Sequence, residues 1–489
     1  MGKKDVEVDR RKLAFEYAWR FAQLQKQALV NLESNSSSNV TYSRFTKENL
    51  ISYMQSPKSN EKNLRNASIY MYDASTQYKR LILYYALMPL WAYTLLPVNY
   101  DPGKVKPDSF RKAYQKVAAQ VEAMNLKHEL QKASIVAYRE GVFYGAQWFG
   151  TNSFFVQRIN PDICKLSSIV DGTWMYAVDF SKIKEADLAL YPPEFTTLWN
   201  TAQSTGQKWQ EIPEKISFCL KADETTVGYS TPTFMATLPL LHDIENYKAL
   251  QETAAEISNY KLVSMEIPLD KDGTPLIDFP LAEQYYQHLV NALPPYVGAA
   301  MMPMKMDSIK FEHNSATTDM DVVARAEEQF WRMGGTSPLL FGSSDNDTAG
   351  ALKLSLRSDE EIVFAMMDQC ERLINRILKQ MSGSQKFKIN FIKATVFSKD
   401  DVISNYKEAA TLGIPVKAHY ASLLGLQPVD IQGSNFMELE MWGMGDFTPL
   451  SSSYTQGNEK KSGGRPSSRD ENLTESGEQS RDDDVNANR

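Results

Sequence analysis

Apolar positions recur at helical spacing through the first part of the chain. The spacing predicts helices over 10–30, 46–54, 62–88, 109–124 and 126–140. The stripe Phe110, Ala113, Tyr114, Val117, Val121 and Met124 carries the fourth of these. A Ser/Asn-rich linker near Asn35–Asn39 follows the first. Beyond residue 140 the period moves toward two. Segments 142–158, 162–169, 173–180 and 216–221 read as strands, parted by turns at Asn160-Pro161-Asp162 and Asp171-Gly172. The first 235 residues thus form one α+β unit, helices first and then a small antiparallel sheet.

After Pro239 the period is helical again. Leu240, Ile244, Tyr247, Leu250, Ala254 and Ile257 share a face that leaves out Asp243, Glu245, Glu252 and Glu256. A helix of about 22 residues at 1.5 Å per residue spans roughly 33 Å. A compact insert over 262–316 comes next. It reads as strands at 262–269, 299–305 and 308–313, the turn Asp270-Lys271-Asp272-Gly273, and a helix near 279–292. A helix then returns over 319–333, with Arg325, Glu328, Gln329 and Arg332 on one polar stripe. Two helices flanking a small β-containing insert suggest a stalk with a cap.

Gly334-Gly335 ends that helix, and small, polar and glycine residues fill the following loop as far as Gly350. Ser358 and Glu361 have capping-box spacing, so a long helix is expected to start near Ser358 and stop at Gly383. Val363, Met366, Met367, Cys370, Ile374, Ile377, Leu378 and Met381 mark its apolar face. A polar tip between stiff helices suits a mechanical element that touches something moving past. A plain flexible connector is the other reading. A strand over 387–397 and two short helices follow, punctuated by Gly413-Ile414-Pro415 and Gly425-Leu426-Gln427-Pro428. From Tyr454 onward the composition is that of a disordered tail. The fold class expected is α+β, mainly helical.

Composition narrows the function classes. The 489 residues are 43% hydrophobic and 23% charged, enough to bury a core, and the formal net charge is −7. A protein that grips a phosphate backbone statically carries a basic excess, which this chain lacks. Cys164, Cys219 and Cys370 are far apart and read as reduced, buried thiols of a protein made in a cytoplasm. No signal peptide opens the chain, and Val6 stands where myristoylation needs Ser or Thr. Leu81–Val98 is uncharged, but Pro89, Pro97 and three tyrosines favour a buried helix over a membrane span.

Catalytic signatures are missing from the sequence. It has no GxxxxGK[ST] phosphate loop, no HExxH and no GxSxG. Asp345 and Asp347 lack the later Gly and Glu of a calcium loop, and Asp319 and Asp321 are explained by helix capping. The histidines His128, His242, His288, His313 and His419 are dispersed. No cofactor, metal or enzymatic activity is expected. The run Met301-Met302-Pro303-Met304-Lys305-Met306 reads either as an adaptable docking surface or as a strand packed in a core.

Several stretches, taken in order, carry a family resemblance: Asn63–Pro97, Phe143–Ile159, Leu262–Phe279, Pro294–Phe311, Gly334–Gly350, Gly413–Asp430 and the tail from Gly463-Gly464-Arg465-Pro466. Together they resemble a bacteriophage portal protein of the long-tailed phages of Gram-positive hosts. The resemblance implies a homo-oligomeric ring, usually of twelve copies, at one capsid vertex of the virion, through which double-stranded DNA enters and leaves. It implies the terminase motor, head–tail adaptor, major capsid and scaffolding proteins as partners, with no membrane. Its domain scheme would make 1–238 and 355–398 wing, 239–261 and 318–335 stem, 262–317 clip, 336–354 tunnel loop and 399–445 crown, with 446–489 a disordered tail. Ser343, Ser344, Asp345, Asn346, Asp347, Thr348 and Lys353 would then face the channel at the loop. Arg325, Glu328, Gln329 and Arg332 would face it from the stem, and Met301, Met302, Met304, Lys305 and Met306 would be the clip docking surface. Twelve acidic copies, about −84 together, would keep a polyanion off the wall, with Lys353, Arg325 and Arg332 steadying it weakly. Ordinary solvated or intersubunit charges are the alternative for those three. A phage scaffold or adaptor ring that conducts no DNA is the other function in view.

Overall fold

The computed structural model describes residues 44–98, 101, 103, 106–150, 153–259, 261–266, 281, 284–285, 288, 297–302, 309–310, 319–341, 349–380 and 386–441. The fold is mixed α+β and mainly helical. The expected helix over 10–30, the linker after it and the tail lie outside the described residues.

The chain begins with α1 (Lys47–Gln55), capped by Thr46, then α2 (Glu61–Ala74) and α3 (Thr76–Leu87). A single helix over 62–88 was the expectation. Ser75 divides it, because its hydroxyl accepts from the Tyr78 backbone N–H and so caps a new helix. The uncharged run from Leu81 is not one helix either. It leaves α3 after Leu87, turns through Trp91 in the left-handed region (φ 56°), and becomes strand β1 (Tyr93–Val98). Among the described residues no helix is long and apolar enough to cross a membrane.

Helices α4 (Pro107–Ala123) and α5 (Leu126–Glu140) lead to β2 (Val142–Phe149) and β3 (Phe154–Arg158), two strands where one was expected. Then come β4 (Cys164–Val170), β5 (Thr173–Asp179), α6 (Pro193–Thr205), β6 (Trp209–Glu211) and β7 (Ser217–Lys221). These strands form two antiparallel three-stranded sheets, β3-β2-β7 and β4-β5-β6, rather than one. Helix α6 was not anticipated; Pro193 at its start and Gly206 (φ 71°) at its end bound it.

Helix α7 (Leu238–Asn259) is followed by β8 (Lys261–Glu266), β9 (Val297–Met302) and β10 (Ile309–Lys310). Strand β8 is central, parallel to β9 and antiparallel to β10. Between β8 and β9 the described residues Leu281, Gln284, Tyr285 and His288 have helical backbone. Helix α8 (Asp319–Met333) then packs beside α7, with Lys248 3.5 Å from Glu327.

The long helix α9 runs over Ala349–Gln380, a correction to the start expected near Ser358. Ser358 lies inside the helix, where a capping box has no unpaired N–H groups to satisfy. Strand β11 (Lys386–Phe391) pairs antiparallel with β1, Tyr93 opposite Phe391, and is shorter than the expected 387–397. Helices α10 (Lys399–Thr411), α11 (Lys417–Leu423) and α12 (Pro428–Phe436) follow, one more than foreseen, and then a π turn, Met437–Met441. Backbone contacts divide the chain into Met1–Val429 and Asp430–Arg489.

The principal core joins α3, α5 and α9, with Tyr78, Leu81, Tyr85, Leu130, Ala137, Leu373 and Ile374 all completely buried. Helix α9 is also tied to both sheets by polar bonds. Arg376 donates to Thr173 Oγ1 (2.7 Å) and to the Ser217 carbonyl (2.6 Å). Gln369 pairs with both backbone groups of Lys221, at 2.7 and 2.9 Å. Replacing Gln369 by leucine leaves two buried backbone groups unpaired. We expect a loss of about 2–6 kcal/mol in urea unfolding, from a penalty of ~1–3 kcal/mol per group.

Candidate functional site

The most organised polar and aromatic cluster lies where α8 hands over to α9. Helix α8 buries Ala326, Phe330 and Trp331 and leaves Arg325, Gln329 and Arg332 exposed, with Glu328 half-buried. The four polar residues recur at i, i+3, i+4 and i+7, so one side of the helix carries them all. Arg332 is ion-paired with Glu328 one turn back, an exposed pair that contributes little.

The end of α8 is closed by three backbone bonds. The N–H groups of Gly334, Gly335 and Thr336 donate to the carbonyls of Phe330, Arg332 and Trp331, at 2.9–3.1 Å. Both glycines are needed. A Cβ on Gly334 would sit 3.0 Å from the Leu81 side chain, and Gly335 has φ 80°. The chain then makes a 3-10 turn, Pro338–Phe341, that returns Phe341 onto Trp331. The two rings stack with centroids 3.8 Å apart and 11° between planes.

Helix α3 completes the cluster. The Arg80 guanidinium lies 4.7 Å from the centre of the Phe341 ring, and Tyr84 meets that ring edge-on at 5.7 Å. Tyr84 and its neighbour Tyr85 both donate to Asp359 of α9, at 2.8 and 3.2 Å. Trp331, Phe341, Tyr84 and Asp359 thus form a continuous chain from α8 to α9. It ties the end of α8 and the 338–341 turn to Asp359, ten residues into α9.

Asp359 is 2% exposed and the adjacent Glu360 is 8% exposed. Glu360 accepts from the Thr395 hydroxyl at 2.5 Å. Burial pushes the Asp359 carboxyl up; the tyrosine hydrogen bonds oppose this and the Glu360 charge adds to it. A raised carboxylate pKa makes ionisation a cost to the folded state. That cost is absent below the unfolded value near 3.8, appears as pH rises, and is complete above the folded pKa. Asp359→Asn is therefore expected to flatten the stability–pH profile on the acid side of neutrality, measured by urea unfolding at fixed pH steps. An unchanged profile contradicts the assignment.

Of the residues singled out from the sequence, Ser343, Ser344, Asp345, Asn346, Asp347 and Thr348 lie outside the described residues, as do Met304, Lys305 and Met306. Met301 and Met302 are the last residues of β9, paired with Met265 and Glu266. Lys353 is exposed near the start of α9 and bonds Asp401 of α10 at 2.9 Å. That contact depresses the Asp401 carboxyl pKa, through its hydrogen bond first and then its charge. Lys353 is therefore ion-paired within the chain.

Sequence reasoning missed Trp331, Phe341, Tyr84, Tyr85 and Asp359. One signal was available: the apolar stripe of α9 extends backward from Val363 and Met367 onto Asp359 and Glu360. Carboxylates on a buried face imply dedicated donors. Among the described residues no group of three or more His, Cys, Asp or Glu could hold a metal ion. In comparisons with known proteins, no family model matches this sequence and no curated protein matches it significantly.

Proposed function

We propose that the chain is the subunit of a portal ring, a conduit for double-stranded DNA at one vertex of a phage capsid. The observation that carries this reading is the α7–α8 pair. Two adjacent helices flank a small three-stranded insert, one bears an exposed polar stripe, and it leads into a turn that packs back onto Trp331. In this reading α7 and α8 are the stem, 262–317 the clip that meets the terminase motor and head–tail adaptor, and 399–445 the crown. The polar stripe of Arg325, Glu328, Gln329 and Arg332 faces the channel, and 336–354 is the tunnel loop.

The physical requirements of a conduit support the assignment. Strong phosphate contacts would brake a sliding duplex, because each one displaces counterions and adds affinity. The chain is acidic, and the cations of the stripe are diluted by Glu328 and Gln329. Self-paired cations such as Arg332 meet a phosphate only by giving up a carboxylate. Guidance is then weak and easily broken.

Electron microscopy of the purified protein tests the reading directly. Rings with a central hole wide enough for a duplex are expected, and monomers at micromolar concentration would overturn it. Shortening 343–349 should leave rings intact while DNA packaging or retention falls. Loss of the rings instead would assign that segment to assembly.

A further inference from the structure

Beside the aromatic chain, a surface groove of about 540 Å³ runs between α3, the 338–341 turn and Phe397. Leu83, Tyr84, Leu340, Phe341 and Phe397 form its apolar lining, and Lys79 and Arg80 stand at its rim. Both cations are exposed, and among the described residues neither has a carboxylate partner. Lys79 rests over the Tyr72 ring at 5.3 Å and Arg80 over Phe341. No acidic residue lines the groove. An apolar lining with two unanswered positive charges fits a segment that presents bulky apolar side chains together with carboxylates.

The chain offers one such segment. In Phe436-Met437-Glu438-Leu439-Glu440-Met441, Phe436 is 49%, Met437 39% and Met441 63% exposed. Met437 and Met441 are four residues apart on the π turn, so they project from one side. Glu438 and Glu440 are the only charged residues in the segment. Two carboxylates among exposed thioethers and a phenyl ring complement two cations around an apolar slot.

We infer that the groove receives the Phe436–Met441 segment of a second copy of this chain. The inference rests on the ring reading, and it names one contact of that ring. A closed ring uses heterologous contacts, in which two different patches meet, and the groove and the acidic methionine segment are two such patches. Exposed apolar surface on both is covered in the same step.

The test uses the full-length protein assembled from an equal mixture of ¹⁵N-labelled and unlabelled copies, treated with a zero-length carbodiimide. Cross-links of Lys79 to Glu438 or Glu440 are expected, with mixed-isotope pairs as frequent as same-isotope pairs. Same-isotope pairs alone would place the contact within one chain and overturn the inference. Rings without these cross-links would also overturn it, leaving the ring reading standing. Absence of rings in the unmodified protein removes both. As a second measurement, Lys79→Glu with Arg80→Glu should weaken assembly roughly tenfold or more by like-charge repulsion, read by mass photometry. Glu438→Lys with Glu440→Lys should restore it in the same chain. Failure of that rescue in a protein with unchanged circular dichroism contradicts the pairing.

Discussion

Trp331→Ala is expected to cost about 3–5 kcal/mol of stability, the range for removing a large buried aromatic. The indole is 5% exposed and has Phe330 against one side and Phe341 stacked at 3.8 Å. Its loss also removes the support on which Phe341 and, through it, Tyr84 and Arg80 are arranged. Two readouts separate these effects. Urea unfolding reports the global loss. Amide exchange should rise most at Thr336–Phe341 and in the first turns of α9, above the rise across the α2–α5 core. Uniform acceleration throughout would mean that Trp331 is ordinary core packing. If the portal reading holds, Trp331→Phe, which keeps a stacking ring, should retain more DNA in filled heads than Trp331→Ala.

Glu140→Ala carries the second large expected effect. Glu140 is fully buried at the end of α5, with Arg139 and Arg158 each 2.5 Å from a carboxylate oxygen. Removing it strands two guanidinium groups, one of them 16% exposed, and breaking such a buried pair costs about 3–5 kcal/mol. The site cannot relax easily. The next residue, Gly141, has φ 86°, and a Cβ there would lie 2.4 Å from the Thr231 carbonyl oxygen. Arg158→Ala should cost clearly less, because that side chain is 40% exposed and water can replace its contact. Equal losses for the two variants in denaturant unfolding would refute the burial argument. The double variant, Glu140→Ala with Arg158→Ala, should be less destabilised than the sum of the single changes.

Much of the order of elements was legible in the sequence. The helix over 319–333, the strands around Asp171-Gly172 and the helix after Pro239 follow from periodicity and turn residues. These signals are local, since a face repeats every 3.6 or 2 residues whatever lies opposite. Boundaries failed where a local signal had competitors. Ser358 and Glu361 have the spacing of a cap, yet α9 begins nine residues earlier, and Leu352 and Leu356 in those added turns are half-buried. Ser75 was passed over as an interior helical residue, although its hydroxyl starts a new helix. The candidate cluster was less legible. Tyr84 and Asp359 are separated by 275 positions, and no window along the chain contains both.

The sequence by itself determined the α+β, mainly helical character, the acidic charge and the pairing of two helices around a small β insert. Those properties depend on residue type and short-range spacing. The tertiary structure decided which polar groups are buried, which of them meet, and which cations, among the described residues, remain without a carboxylate. Lys353 reaches Asp401, Asp359 holds two tyrosines, and Lys79 and Arg80 stand over an open groove. The physical reason is that the energy of a charge or a hydroxyl depends on what is brought within a few ångströms of it. Along this chain those neighbours come from helices and strands tens to hundreds of residues away.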